Sequence, residues 1–203
     1  LISKPLRRQR IKIVRAPNFW NPGTNSPVPT LLAPFGWAYG LAGKIRWAMA
    51  RPWKPSIPVL CIGNICAGGA GKTPIALDLA KRLNASGCKV HFLVRGYGGS
   101  LKGPIRVDLS HHTAKDVGDE ALLLAAQTPC WVSCDRPKGL QEAISAGADV
   151  VVMDDGFQNP SVIKDLSLLV VDGAYGLGNE RLIPAGPLRE TWTSALTRAQ
   201  GVV

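Results

Sequence analysis

The chain has 203 residues, of which 46% are hydrophobic, and this length supports one well-packed domain but is too short for two full ones. Its formal charge of +10 is unevenly distributed, because residues 1–77 hold 11 of the 24 Lys and Arg residues and none of the 14 Asp and Glu residues. The positive N-terminal third could therefore face anionic lipid, an anionic substrate or nucleic acid. No apolar run reaches the ~20 residues of a membrane-spanning helix, and the five cysteines lack a Cys-x-x-Cys pair, which indicates reduced thiols instead of a zinc site.

Residues 1–29 are basic and interrupted by prolines, so we expect a largely irregular arm. Residues 30–52 predict an amphipathic helix, because apolar residues recur every three or four positions. The predicted apolar face contains Leu31, Leu32, Phe35, Ala38, Tyr39, Ala42, Ile45 and Met49, and it is bordered by Trp37, Lys44, Arg46, Trp47 and Arg51. This face either packs on the core or lies in a membrane interface, with the cations towards lipid phosphates. The absence of acids from the N-terminal third favours the membrane.

Residues 53–203 contain short apolar runs that alternate with helical patterns. Predicted strands cover residues 57–63, 89–94, 131–134, 149–153 and 166–171, and predicted helices cover residues 73–86, 117–127 and 136–146. This alternation predicts an α/β fold with a doubly wound, mainly parallel sheet.

A glycine-rich turn joins the first of these strands to the first helix. It consists of Gly68, Gly69, Ala70, Gly71, Lys72 and Thr73. Such a turn presents backbone N–H groups and a helix N-terminus to phosphate oxygens, while Lys72 neutralises the phosphates of ATP and Thr73 ligates Mg²⁺. The usual phosphate-loop pattern has glycine at position 66, where this chain has Cys66. An incidental glycine turn is the alternative, and the strand before and the helix after favour the phosphate loop.

Two pairs of acids are candidates for the chemistry. Asp154 and Asp155 follow a predicted strand, which places them at the carboxyl edge of the sheet, where an acid that organises Mg²⁺ is expected. Asp119 and Glu120 lie near the start of a predicted helix. They either complement the helix dipole or supply a base for an attacking hydroxyl together with a metal ligand.

A second glycine loop, Arg95–Gly99, directly follows a predicted strand and should lie on the same edge. Arg95 could bind phosphate and Tyr97 could stack on a substrate, although a plain glycine turn has the same pattern. His111 and His112 are expected in a solvated loop.

Five ordered motifs together resemble the tetraacyldisaccharide 4′-kinases, the lipid A 4′-kinases of Gram-negative bacteria. They are Gly63-Asn64 with Gly68–Pro74, Arg95–Gly99, Asp116–Glu120, Asp154–Gln158 and Pro184–Glu190. The resemblance implies phosphorylation of a disaccharide 1-phosphate lipid by MgATP at the cytoplasmic face of the inner membrane, where the N-terminal helix docks. No nucleic-acid partner is expected.

The resemblance also implies roles for individual residues. Asp119 would be the catalytic base, and Lys72 would hold the phosphates. Mg²⁺ would lie near Thr73, Glu120, Asp155 and Glu190. The substrate site would contain Arg95, Tyr97, Arg136, Gln158 and Arg189.

Two alternatives remain open. The family continues into a further C-terminal lobe with a histidine that works with the catalytic aspartate, whereas this sequence stops at Val203. The first alternative is therefore a fragment that binds nucleotide and membrane without catalysis. The other is a membrane-associated ATPase of the division or partition type. Its loop also reads Gly-Gly-x-Gly-Lys-Thr, but it carries a signature lysine where this chain has Ala67.

Overall fold

The structure, a computed structural model, describes residues 16–203. Its strands are β1 Val59–Gly63, β2 Val90–Val94, β3 Ile105–Arg106, β4 Cys130–Val132, β5 Val150–Asp154, β6 Leu166–Leu169 and β7 Gly201–Val202. Its α-helices are α1 Val28–Met49, α2 Lys72–Ala85, α3 Ala114–Val117, α4 Asp119–Ala125, α5 Arg136–Ser145 and α6 Trp192–Leu196.

The seven strands form one sheet in the order β3-β4-β2-β5-β1-β6-β7. All neighbours are parallel except β3, which pairs with β4 in the antiparallel direction at one edge. Alternate residues of the central strands enter two separate apolar clusters, one beneath α2 and α4 and the other beneath α5. The predicted doubly wound, mainly parallel α/β fold is therefore confirmed.

The sequence missed the shortest elements and one break. Strands β3 and β7 have two residues each, and α6 has five, so each is too short to show a repeating hydrophobic pattern. The helix predicted over residues 117–127 is present as α4 but begins two residues later, because Gly118 adopts φ +88° and separates it from α3. A capping box between Thr113 and Asp116 begins α3, and α4 then begins at Asp119.

The helix predicted from residue 30 is present as α1 and begins two residues earlier. Its apolar pattern is on the outside of the molecule, since Leu31, Phe35, Ile45 and Met49 have exposures of 72%, 64%, 49% and 78%. The interpretation in which this face packs on the core is therefore wrong for the described part of the chain. The same part contains no helix long and apolar enough to cross a membrane.

A stripe of small residues on α1 packs against the protein instead. A Cβ at Gly40 would lie 2.7 Å from Cδ1 of Leu182, and one at Gly36 would lie 3.1 Å from the Leu182 carbonyl oxygen. The helix backbone approaches the segment around Leu182 closely because these glycines have no side chains. Just before the helix, the Trp20 indole donates a hydrogen bond to the carbonyl of Pro184 (3.0 Å).

The predicted irregular arm is described only from residue 16 onwards, and its first 15 residues lie outside the described part. Within residues 16–29, Asn18–Trp20 form one turn of 3₁₀-helix, and α1 has already begun at Val28.

Candidate active site

The phosphate loop lies between β1 and α2, at the carboxyl edge of the parallel sheet. Gly68 and Gly71 adopt φ +123° and +76°, which glycine tolerates and other residues rarely adopt. Helix α2 begins at Lys72, so its first N–H groups point towards the loop. The loop thus has the backbone of a phosphate cradle at a helix N-terminus.

Cys66 is accommodated because its position in this chain does not require glycine. Its φ is not positive, and the residue forms an isolated antiparallel bridge with Leu188. Backbone hydrogen bonds flank this bridge, from Ala67 N to Pro187 O (2.7 Å) and from Arg189 N to Ile65 O (2.7 Å). The first half of the loop is therefore held as a strand-like segment against residues 187–189.

Asn64 forms hydrogen bonds with several residues of the phosphate loop. This residue belongs to the Gly63-Asn64 motif, but the sequence did not predict its role. Its side-chain amide donates hydrogen bonds to the carbonyls of Cys66 (2.8 Å) and Gly68 (3.3 Å). Its Oδ1 accepts a hydrogen bond from Lys72 Nζ (3.3 Å). Lys72 Nζ also lies 3.6 Å from Asp155 Oδ1, so the ammonium group is held at the loop by two neighbours.

Asp154, at the end of β5, contacts the first turn of α2. Its Oδ2 accepts a hydrogen bond from the Thr73 hydroxyl (3.3 Å), while its Oδ1 is buried and has no hydrogen-bond partner within the described residues. Burial raises the pKa of this carboxyl to about 6, and the negative charge of Glu120 adds to the effect. Lys72 opposes it.

This arrangement fits a magnesium ion. A hard divalent cation takes oxygen ligands, and the free Oδ1 of Asp154 together with the hydroxyl of Thr73 supplies two. A buried carboxylate oxygen without a partner is costly in a folded protein unless a cation or a proton reaches it. Within residues 16–203, no three side chains among His, Cys, Asp and Glu form a metal site on their own.

Asp155 has a different environment from its neighbour. Its φ of +53° is unusual for a residue other than glycine, and this backbone turns the carboxylate towards Arg189. Arg189 Nη1 donates to both carboxylate oxygens, at 2.9 and 3.2 Å. Asp155 thus pairs with two cations, Arg189 and Lys72, and its predicted contact with Mg²⁺ stays a prediction.

The second glycine loop and the break before α4 form one structural unit. A Cβ at Gly118 would overlap the Tyr97 carbonyl oxygen, and one at Gly99 would lie 2.6 Å from the Asp116 carbonyl oxygen. The two backbones can touch only because both positions are glycine. Two motifs that are separate in the sequence therefore support each other, and together they place Glu120 on the same edge as Asp154.

A cavity of about 470 Å³ lies between α1 and this edge of the sheet. Its lining includes six predicted site residues: Arg95, Tyr97, Glu120, Asp155, Gln158 and Arg189. Asp154 also lines it, and α1 contributes Tyr39, Ala42, Gly43 and Arg46.

Apart from the phosphate loop, three predicted site residues lie outside this lining. Asp119 is solvent-exposed at the start of α4, next to Glu120. Arg136 is 3% exposed and donates from Nη1 to the Ser133 carbonyl (2.6 Å), so it is buried instead of facing the cavity. Burial lowers its pKa, and the nearby charge of Arg95 lowers it further.

Glu190, the third of these residues, lines an adjoining and more apolar cavity of about 510 Å³ that α1 and α6 enclose. It pairs with Arg198, and it accepts a hydrogen bond from Gln158 Nε2 (3.2 Å). The guanidinium of Arg198 lies 4.2 Å from the centre of the Trp47 ring. This cation–π contact attaches the C-terminal half of α1 to the core, and the sequence did not predict it.

Comparisons with known proteins agree with the geometry of the phosphate loop. The family model of tetraacyldisaccharide-1-P 4′-kinases, named LpxK, matches residues 28–203. The chain belongs to this family. The family match favours the kinase over the division-type ATPase, which was the rival interpretation.

Individual members of the LpxK family are similar to this chain over most of its length. The tetraacyldisaccharide 4′-kinase of Parvibaculum lavamentivorans is 56% identical over 193 residues, which cover 94% of this chain and 56% of that protein. The enzyme of the same name from Rhodospirillum centenum is 54% identical, with 94% and 57% covered. The chain thus spans little more than half the length of these LpxK relatives.

A solved LpxK structure has the same fold. The "apo" form of LpxK from Aquifex aeolicus, in complex with ATP, superimposes with a TM-score of 0.75 at 30% identity. The match covers 86% of this chain and 58% of the Aquifex chain.

Proposed function

We propose that this protein transfers the γ-phosphoryl group of MgATP to the 4′-hydroxyl of a tetraacyldisaccharide 1-phosphate lipid, a step of lipid A biosynthesis. The observation that carries the proposal is the buried, unpartnered Oδ1 of Asp154 beside Thr73, at the point where the phosphate loop enters α2. Binding of a metal–nucleotide complex requires backbone donors for the phosphates and an oxygen ligand for the cation, and this site has both.

Different residues of the loop would contact different parts of the nucleotide. The ammonium group of Lys72 lies between Asn64 and Asp155, and we expect it to contact the β- and γ-phosphates when ATP binds. Thr73 and Asp154 would hold Mg²⁺, which neutralises charge on the phosphate oxygens during transfer. Glu120 is close enough to Asp154 to raise its pKa and is a further candidate ligand.

Asp119 is proposed as the base in this reaction. The oxygen of the 4′-hydroxyl forms a bond to the γ-phosphorus, the bond between that phosphorus and the bridging oxygen breaks, and ADP leaves with the electron pair. The hydroxyl proton passes to Asp119. Asp119 is exposed to solvent at the first turn of α4, and a carboxylate is a group that accepts a proton in general base catalysis.

The exposed face of α1 supports a membrane location for this chemistry. Large apolar side chains along the helix are turned to solvent, and a basic segment precedes them without a single acid. Such a helix binds at the surface of an anionic bilayer, with its apolar side chains among the acyl chains. The proposed site is the cytoplasmic face of the inner membrane, where a lipid acceptor would reach the cavity beside α1.

The test is phosphate transfer from γ-labelled ATP to tetraacyldisaccharide 1-phosphate in detergent micelles. We expect labelled lipid from the protein in its full-length form and none from its Lys72→Ala variant. Nucleotide binding without any labelled lipid in the full-length form would contradict the kinase. The 203-residue chain assayed alone tests whether it is a binding fragment, since that alternative requires ATP affinity without transfer.

A separate experiment tests the membrane location. Phe35→Glu places a charge on the exposed face of α1, and Leu123→Glu places one at a similarly exposed leucine on α4. Cosedimentation with vesicles that contain anionic lipid should fall for the first variant and stay unchanged for the second. An equal loss in both variants would contradict docking through α1.

A further inference from the structure

Arg46 differs from the other cations that the sequence places along α1. Its Nη2 donates a hydrogen bond to the Gln158 carbonyl oxygen (2.9 Å), so the side chain crosses from the helix to the motif that follows β5. It lines both the 470 Å³ cavity and the apolar cavity beside it. Lys44 lines only the apolar cavity, and Arg51 lines neither. The sequence interpretation, in which all these cations face lipid phosphates, therefore does not describe Arg46.

The lining of the 470 Å³ cavity contains charges of both signs. Its carboxylates are those of Glu120, Asp154 and Asp155. Its guanidinium groups include Arg46 on α1 and Arg95 in the second glycine loop.

These two guanidinium groups are available to an anion. Arg189, the third arginine of the cavity, is already neutralised by Asp155. In residues 16–203, neither Arg46 nor Arg95 has a carboxylate within 4.0 Å. Arg136 is a further cation near Arg95, and its pKa is lowered by burial and, to a smaller extent, by the charge of Arg95. An anionic group bound in the cavity would pair with guanidinium groups that the described carboxylates do not neutralise.

We propose that Arg46 binds the phosphate monoester of the acceptor lipid where α1 lines the cavity that Arg95 also lines. The inference rests on the proposed function, because it takes the acceptor to be a disaccharide that carries a phosphate away from its reacting hydroxyl. A guanidinium group suits this task, since its planar donors match two phosphate oxygens at once. Helix α1 would then select the acceptor as well as contact the membrane.

The test compares acceptors with and without the 1-phosphate, using the full-length protein in neutral detergent micelles. Arg46→Gln removes the charge but retains an amide that can donate to the Gln158 carbonyl. We expect the KM for the phosphorylated acceptor to rise about 10- to 100-fold, as for the loss of a hydrogen bond between charged groups. The KM for ATP and the kinetics with the dephosphorylated acceptor should stay unchanged. Arg51→Gln, which removes a charge from the same basic segment, should match the wild type.

Several outcomes would overturn the inference. An equal loss with both acceptors would show that Arg46 only supports the helix. A defect that appears only on anionic vesicles, and equally in Arg51→Gln, would assign the side chain to a bilayer headgroup instead of the acceptor.

Equilibrium binding of the two acceptors separates this inference from the kinase proposal. Suppose that the wild type transfers no phosphate but binds the phosphorylated lipid more tightly than the dephosphorylated one, and that Arg46→Gln loses this preference. The kinase proposal then fails, while the phosphate subsite at Arg46 is supported. Equal affinity for both lipids in wild type and variant overturns the subsite.

Discussion

Neutralising Asp154 should change how the stability of the protein depends on pH. The ionised carboxyl is less stable in the folded chain than in the unfolded chain, because burial raises its pKa from the ordinary value of 3.8 to about 6. A shift of this size corresponds to roughly 3 kcal/mol at neutral pH, a cost that disappears as pH falls through 6 towards 4. Below that range the carboxyl is protonated in both states.

The variant Asp154→Asn never carries this charge. Its amide leaves a hydrogen-bonding group unpaired, as the buried Oδ1 is now, but that cost does not vary with pH. We therefore expect the free energy of unfolding of the variant, relative to wild type, to increase by about 1.5 kcal/mol between pH 5.0 and pH 7.5. Urea denaturation without Mg²⁺ and nucleotide at the two pH values measures this difference.

The control is Glu142→Gln, which neutralises an exposed acid on α5 and should show no such change. Addition of MgATP should stabilise the wild type and have less effect on Asp154→Asn, because a ligand stabilises only the state that binds it. A difference between wild type and Asp154→Asn that stays flat or shrinks towards pH 7.5 would refute the reasoning. In that case the carboxyl does not carry an uncompensated charge in the folded protein.

Other variants test other parts of the site. Lys72→Ala should weaken MgATP binding roughly 10- to 100-fold, measured by calorimetry, and an unchanged affinity would remove Lys72 from the phosphate site. Asp119→Ala in the full-length protein should lower kcat by about 10²- to 10⁴-fold with ATP affinity unchanged, so a normal rate would exclude it as the base. Gly118→Ala should lower the free energy of unfolding by roughly 3 kcal/mol or more, because it combines backbone strain with overlap of the new Cβ with the Tyr97 carbonyl oxygen. Gly147 also has a positive φ but has open space around it, so Gly147→Ala should lower it by only about 1–2 kcal/mol. Trp47→Ala should speed hydrogen exchange in α1 but not in β5, since it removes the cation–π contact that holds the helix, and equal exchange would contradict this attachment.

The sequence predicted the sheet and the phosphate loop because both depend on local patterns. Buried parallel strands appear as continuous apolar runs, and the strand, glycine turn and helix around Lys72 follow one another in the chain. The unusual Cys66 could not be explained in this way. Its explanation is a bridge to Leu188, more than a hundred residues away, which sequence spacing does not reveal.

The sequence predicted helix α1 but not the surface through which it contacts the rest of the protein. Periodicity shows which residues share a face, and it does not show which face meets the protein. Here Gly36 and Gly40 meet it, and a pattern based on apolar residues gives glycine no weight. The role of Arg46 was missed for a similar reason, since its partner is a backbone carbonyl, which has no sequence signal.

The outward position of the large apolar side chains on α1 has a practical consequence. A water-soluble helix normally hides such residues, and here the glycine face is hidden instead, as in helices that pack together within lipid. An exposed apolar surface of this kind promotes self-association in plain buffer. We therefore expect the purified protein to form concentration-dependent aggregates that mild detergent disperses, and its handling in the laboratory to resemble that of an integral membrane protein.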